Sequence, residues 1–121
     1  MTTENRELFE LCKQVYEATG WENDPYIKHL NKAPKYEHRY GNASIYTSDY
    51  LLEKLPVYLM YSGEQYFFEL EVFEDKTWRG NYGYQDRDGW YDHPDINLQP
   101  EDTPLKALLK LTLKLHEEGL L

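Results

Sequence analysis

Residues 57–84 follow a period of two, and this alternation constrains the fold more than any other feature of the sequence. In its middle, Phe68 and Leu70 alternate with Glu69 and Glu71. Successive side chains of a strand point to opposite faces, so the glutamates mark a solvent face and the apolar residues face a core. The alternation, the aromatic content and the turn residues between them predict three antiparallel strands: 57–61, 66–73 and 77–84.

Both ends of the chain carry helical periodicity, with apolar residues three and four positions apart. The first predicted helix ends at Gly20, and the last follows the capping residue Thr103 and ends at Gly119. Two amphipathic helices packed on one face of an antiparallel three- to four-stranded sheet make an α+β fold. A length of 121 residues suits one domain, so we assign residues 1–121 to a single α+β domain.

The last helix has two distinct faces. Leu108 and Leu111 fall on its apolar stripe and are predicted to be buried in the core. A second stripe is cationic and is predicted to be exposed: Lys106, Lys110 and Lys114. In the first helix, Cys12 lies within the apolar stripe, and we interpret it as a small core residue rather than a reactive thiol.

Three stretches outside these elements are less regular. Residues 44–47 are predicted to form a short strand, followed by a brief helix that Thr47 or Ser48 caps. Residues 26–40 interleave cations with tyrosines, which indicates either a contact with phosphate or a solvated surface loop. Residues 85–102 are rich in aspartate and proline and are predicted to form a long loop.

The charge of the chain limits the classes of partner. The formal net charge is −9, which argues against general nucleic-acid binding and favours a basic protein partner. A single cysteine cannot form an internal disulfide, so a reducing, cytoplasmic location is expected. No apolar run approaches the roughly 20 residues that span a bilayer, and no signal sequence precedes the first helix, so no membrane association is expected.

No local motif carries catalytic or cofactor chemistry. The sequence has no phosphate-binding glycine loop, nucleophile elbow or metal-binding cysteine pair, so we expect no cofactor and no metal and lean against an enzyme. Asp86, Asp88 and Gly89 resemble a calcium loop only in part, because the glycine comes too early and the closing glutamate is missing. Glu69 and Glu71 are spaced as a catalytic carboxylate pair, but solvated glutamates on a strand are far commoner.

Aromatic residues exceed what a small core needs. The chain contains twelve tyrosines, three tryptophans and four phenylalanines beside leucine-rich helices. Tyrosine and tryptophan give large contact areas at low entropic cost, so surplus rings indicate an interface. We predict a protein-binding surface with central rings and rim carboxylates, formed by seven residues: Trp78, Tyr82, Tyr84, Trp90, Tyr91, Asp86 and Asp88. The alternative is that these rings cover one face of the sheet as part of the core.

Four segments carry a family resemblance: ELFELCKQVY at 7–16, TGW at 19–21, YTSDYLLEKLP at 46–56 and DTPLKALL at 102–109. They resemble the opening, middle and end of small uncharacterised proteins of tailed phages and prophages. The resemblance implies the cytoplasm of a bacterial host as the setting and brings no known activity.

The leading functional hypothesis is therefore a non-enzymatic phage or prophage accessory protein that binds a host protein. One alternative is a small-molecule-binding protein or minor enzyme that uses the aromatic sheet face and the 85–102 loop. Another is an acidic mimic of nucleic acid that inhibits a host enzyme, which the net charge of −9 would suit.

Overall fold

The computed structural model describes residues 3–21 and 46–121, which form an α+β fold as the sequence predicts. These residues contain three helices and four strands, in chain order α1 (Thr3–Thr19), α2 (Ser48–Lys54), β1 (Tyr58–Tyr61), β2 (Glu64–Val72), β3 (Trp78–Asp86), β4 (Gly89–Asp92) and α3 (Pro104–Glu117). The sheet is antiparallel throughout, in the order β1-β2-β3-β4. The cationic segment 26–40 and positions 44–45 of the predicted short strand lie outside the described residues.

Tight turns set the register of the two outer hairpins. Ser62 and Gly63 join β1 to β2 with φ angles of 51° and 83°. This left-handed conformation lets a two-residue turn follow the twist of its strands. Arg87 and Asp88 join β3 to β4, where the Asp86 carboxylate accepts a hydrogen bond of 2.7 Å from the Asp88 N–H.

The prediction of a continuous loop at 85–102 is wrong for its first part, because β3 extends to Asp86 and β4 follows the turn. The turn folds Trp90 and Tyr91 back onto β3, and such ring-bearing residues favour a strand. Further along, Glu101 bridges Trp78 through two backbone hydrogen bonds of 2.6 and 2.7 Å. The 85–102 segment is therefore hydrogen-bonded to β3 near both of its ends, through β4 and through Glu101.

The helices form one layer on the sheet. α3 packs directly on β3, and α1 and α2 pack on α3. Leu108 and Leu111 are completely buried, which confirms the predicted apolar stripe. At Gly80 the layers approach so closely that an added Cβ would lie 2.9 Å from Leu111 Cδ2. No helix in the described ranges is long and apolar enough to cross a membrane.

The predicted exposure of the lysine stripe is wrong for Lys106, which is only 5% exposed. Its ammonium lies 3.4 Å from Glu7 of α1 and 3.2 Å from Asp102, so it joins the two terminal helices. Burial alone would lower the pKa of Lys106, but hydrogen bonds to Asp102 and Glu7 outweigh burial and raise it. Periodicity within α3 cannot reveal this contact, because Glu7 is 99 residues away in the sequence. Lys110 and Lys114 stay partly exposed.

Single-residue predictions elsewhere have mixed outcomes. Thr103 caps α3 and Thr47 caps α2, each through its side-chain oxygen, as predicted. Tyr46 belongs to the core with 1% exposure and not to a strand, so the predicted strand at 44–47 is wrong in its described half. Cys12 is completely buried, and burial raises the pKa of its thiol to about 11, in keeping with a core role.

Candidate functional site

The structure places the rings of the predicted binding surface on both faces of the sheet, and Asp88 in the turn between β3 and β4. Trp78, Tyr82 and Tyr84 share the face of Gly80, which is turned toward the helices. Tyr82 is completely buried, and its hydroxyl donates a hydrogen bond of 2.7 Å to a backbone carbonyl. Trp90 lies on the opposite face and is 46% exposed. The seven residues therefore do not share one surface, and Tyr82 belongs to the core.

Four tyrosines and a histidine meet at the end of the sheet that carries the two tight turns. We name this group the tyrosine cluster, and its members are Tyr61, Tyr66, Tyr84, Tyr91 and His93. Their rings make stacked, tilted and edge-to-face contacts with centroids 4.9–6.1 Å apart. Aromatic rings attract one another at these distances, so the five rings hold one another in position. Tyr61 and Tyr91 are each 39% exposed.

Carboxylates surround the solvent side of the tyrosine cluster. Burial raises the pKa of Tyr84. The neighbouring Tyr66 hydroxyl and the Glu64 and Asp86 carboxylates raise it further, so the Tyr84 hydroxyl stays protonated at neutral pH. Glu64, Asp86 and Asp88 are exposed, and none of them forms an ion pair within the described ranges. Their charge is therefore available to a partner.

His93 lies beneath the tyrosine rings of the cluster and is only 1% exposed. Its ring centroid is 4.9 Å from that of Tyr61 and 5.1 Å from that of Tyr66. The Nδ1 atom accepts a hydrogen bond of 3.1 Å from the Asp95 N–H, so the neutral ring carries its proton on Nε2. This Nε2 is buried and has no hydrogen-bond partner among the described residues. Burial lowers the pKa of His93, although Asp95 opposes this effect.

The face of the sheet turned away from the helices, named the outer face, has an apolar half and a charged half. Exposed apolar side chains lie on strands β1, β2 and β4: Tyr58, Met60, Phe67 and Trp90. In the charged half, the Arg79 guanidinium lies 2.6 Å from Glu71 and 3.6 Å from Asp92. Glu69 has a buried oxygen without a hydrogen-bond partner among the described residues. Burial and the adjacent carboxylates of Glu71 and Asp92 raise the pKa of Glu69.

These outer-face carboxylates are the residues of the described ranges that could hold a metal ion. One oxygen from each of Glu69, Glu71 and Asp92 lies within 4.8 Å of the other two. Carboxylate oxygens are the ligands that hard divalent cations prefer. Arg79 already neutralises two of the three carboxylates, so the group is first an ion-pair network. The two glutamates occupy the predicted side of the sheet but are half-buried rather than fully solvated.

Sequence reasoning missed three members of the tyrosine cluster: Tyr61, Tyr66 and His93. The prediction had a four-residue connection between β1 and β2, whereas the turn has two residues, Ser62 and Gly63. Serine followed by glycine beside alternating residues is a signal for such a turn, and it would have placed Tyr61 and Tyr66 at the sheet end. His93 has no comparable local signal, because it follows β4, a strand that the sequence does not reveal.

No family model matches the chain, and no curated protein or solved structure is significantly similar to it. The resemblance to tailed-phage proteins therefore stays a prediction. The hairpin end of the sheet brings the tyrosine cluster and the unpaired carboxylates together, and this geometry indicates a binding surface.

Proposed function

We propose that this chain is a protein-binding module whose binding surface is the hairpin end of the sheet. This surface comprises the tyrosine cluster and the rim carboxylates of Glu64, Asp86 and Asp88. The observation that carries the proposal is the exposed edge of the cluster, at Tyr61 and Tyr91, beside carboxylates that form no ion pair within the described ranges. Tyrosine is enriched at binding hot spots because its ring buries a large area with few rotatable bonds.

The chemistry of this surface selects a basic protein as the partner. Rim carboxylates attract lysine and arginine side chains and speed association with a positive surface. The net charge of −9 repels nucleic acids, other acidic proteins and second copies of this chain. The resemblance of segments 7–21, 46–56 and 102–121 to tailed-phage proteins implies that the partner belongs to a bacterial host.

The test places a photo-reactive p-benzoylphenylalanine at position 91 or, as a matched control, at Tyr16, which is 38% exposed on α1. Irradiation in a bacterial lysate should crosslink a basic protein to position 91 and not to position 16. The crosslinked protein is then identified and purified. Calorimetry measures its affinity for the wild type, Tyr91→Ala and Tyr16→Ala.

We expect Tyr91→Ala to weaken the affinity about tenfold or more, and Tyr16→Ala to leave it within about twofold. Asp88→Asn should slow association about two- to fivefold and reduce its salt dependence, because rim charges act mainly on the association rate. Unfolding midpoints recorded in parallel show whether a variant loses affinity because a contact with the partner is missing or because the chain is less folded. Equal affinities for Tyr91→Ala and Tyr16→Ala, in chains that remain folded, would overturn the proposal.

A further inference from the structure

The two hairpins of the sheet separate at the end that carries the tight turns. β2 pairs with β3 only as far as Phe67 and Gly83, although β2 starts at Glu64 and β3 runs to Asp86. Among the described residues, these overhanging segments pair only outward, β2 with β1 and β3 with β4. Between the hairpins lies an open depression of about 450 Å³, named the hairpin cleft.

Backbone groups of Gln65 and Gln85 face the hairpin cleft. The Phe68 N–H donates a hydrogen bond on the β1 side of β2. Since backbone groups alternate sides along a strand, those of Gln65 point toward β3. The Tyr82 carbonyl accepts a hydrogen bond on the β4 side of β3, so those of Gln85 point toward β2. Two carbonyls and two N–H groups therefore lie beyond the last β2–β3 pair, without a strand partner in the described ranges.

The side chains around the hairpin cleft combine an apolar wall with negative charge. Phe67 and Met60 line the cleft and are 47% and 56% exposed. Glu64 and Tyr84 line it as well, and Glu64 forms no ion pair within the described ranges. Carbonyl acceptors, a carboxylate and aromatic surface together suit a cation that is flat and partly apolar.

We propose that the hairpin cleft binds an arginine side chain of the protein partner. A guanidinium carries five N–H donors in one plane, which the Gln65 and Gln85 carbonyls and the Glu64 carboxylate can share. Its flat face and methylene stem pack on apolar surface such as the Phe67 ring. This inference rests on the proposed function, because it names one side chain through which the partner engages the hairpin end.

Arginine fits this cleft better than other charged groups do. A lysine ammonium is a compact, strongly hydrated charge that cannot span several in-plane acceptors while it packs on a ring. A phosphate or carboxylate is repelled by Glu64 and by the net charge of −9. The Gln65 and Gln85 N–H groups can stay hydrated beside a bound guanidinium, because the cleft is open to solvent.

The test titrates Nα-acetyl-arginine amide into isotopically labelled protein and follows the backbone amide signals by NMR. Nα-acetyl-citrulline amide, which has nearly the same shape without the charge, is the matched probe. We expect saturable shifts centred on Gly63, Gln65 and Gln85, a dissociation constant on the order of millimolar, and about fivefold weaker binding of citrulline. Glu64→Gln should weaken arginine binding about three- to tenfold, whereas Glu53→Gln, an exposed position on α2, should not change it.

Equal binding of the two probes, or shifts centred on the outer-face carboxylates Glu69, Glu71 and Asp92, would overturn the arginine cleft. An unchanged affinity of the Glu64→Gln variant for Nα-acetyl-arginine amide would overturn it as well. The titration needs no partner protein, so its failure is separate from failure of the proposed function. If arginine does not bind but Tyr91→Ala still weakens the partner, the cleft is refuted and the interface stands. If arginine binds in the cleft but the Tyr91 experiment fails, the cleft is supported and the partner surface is refuted.

Discussion

Replacing Gly80 with alanine should destabilise the chain, because β3 and α3 touch at that position. A Cβ atom on Gly80 would lie 2.9 Å from Leu111 Cδ2, 3.1 Å from Leu111 Cβ and 3.4 Å from the Ala107 carbonyl oxygen. Unstrained carbon–carbon contacts are about 3.5–4.0 Å, so both contacts with Leu111 are too short. Either Leu111 must leave its rotamer or α3 must move away from the sheet.

Two opposing contributions set the magnitude of this loss. Overpacking a core costs about 1–3 kcal/mol of stability. Gly80 is not among the glycines with positive φ, so alanine fits its backbone and gains about 0.4–1 kcal/mol from a less flexible unfolded chain. The free energy of unfolding should therefore fall by about 1–2 kcal/mol, which in a domain of this size lowers Tm by several degrees.

A double-mutant cycle, measured by urea denaturation, tests the cause. Leu111→Ala alone removes a completely buried side chain and should cost about 2–5 kcal/mol. In the double variant, the methyl group added at position 80 enters space that Leu111 has left. The two changes together should therefore cost about 1 kcal/mol less than the sum of their separate costs. Costs that add within about 0.5 kcal/mol would refute the contact between β3 and α3 as the source of the effect.

Three further predictions concern charged side chains. Lys106→Ala should cost about 1–3 kcal/mol because it removes a buried methylene stem, whereas Lys13→Ala, at an exposed position of α1 with no ion pair in the described ranges, should stay within about 0.5 kcal/mol. Equal costs in urea denaturation would contradict this. Glu69→Gln should raise Tm at pH 7, because the raised pKa of Glu69 means that its charged form opposes folding. That gain should vanish below about pH 4, where both states are protonated, and a pH-independent gain would contradict it. Millimolar calcium should not raise Tm by several degrees over chelator, since residues 86–89 lack calcium-loop spacing and Arg79 already pairs with Glu71 and Asp92; a rise that magnesium does not reproduce would contradict this.

The elements that the sequence predicts correctly are fixed by signals close to them in the chain. α3 follows its capping residue Thr103 and keeps its apolar stripe on the sheet, so Leu108 and Leu111 are buried as expected. The alternation of Phe68 and Leu70 with two glutamates places the correct face of β2 toward the core. Each of these features depends on residues within a few turns or one hairpin.

The features that the sequence does not reveal depend on register and on distant contacts. β4 has only four residues in acidic surroundings, and the turn at 87–88 sets its register against β3. Side chains alternate along β4, so Trp90 lies on the outer face and Tyr91 stacks on Tyr84 toward the helices. For this reason the prediction that seven residues form one binding surface is wrong. Burial of Lys106 likewise depends on a contact with the opposite end of the chain.

Two buried side-chain atoms in the described ranges have no hydrogen-bond partner, and one of them belongs to the proposed binding surface. That atom is Nε2 of His93, which lies under the rings of Tyr61 and Tyr66, and the other is Oε1 of Glu69 in the charged half of the outer face. Leaving a buried polar atom unpaired costs about 1–3 kcal/mol, so folding alone would favour other residues at both positions. Caps, turns and core pattern elsewhere agree with the fold. Such local conflicts concentrate where a sequence serves a function besides folding, so the conflict at His93 favours the hairpin end over the helical side as the functional surface.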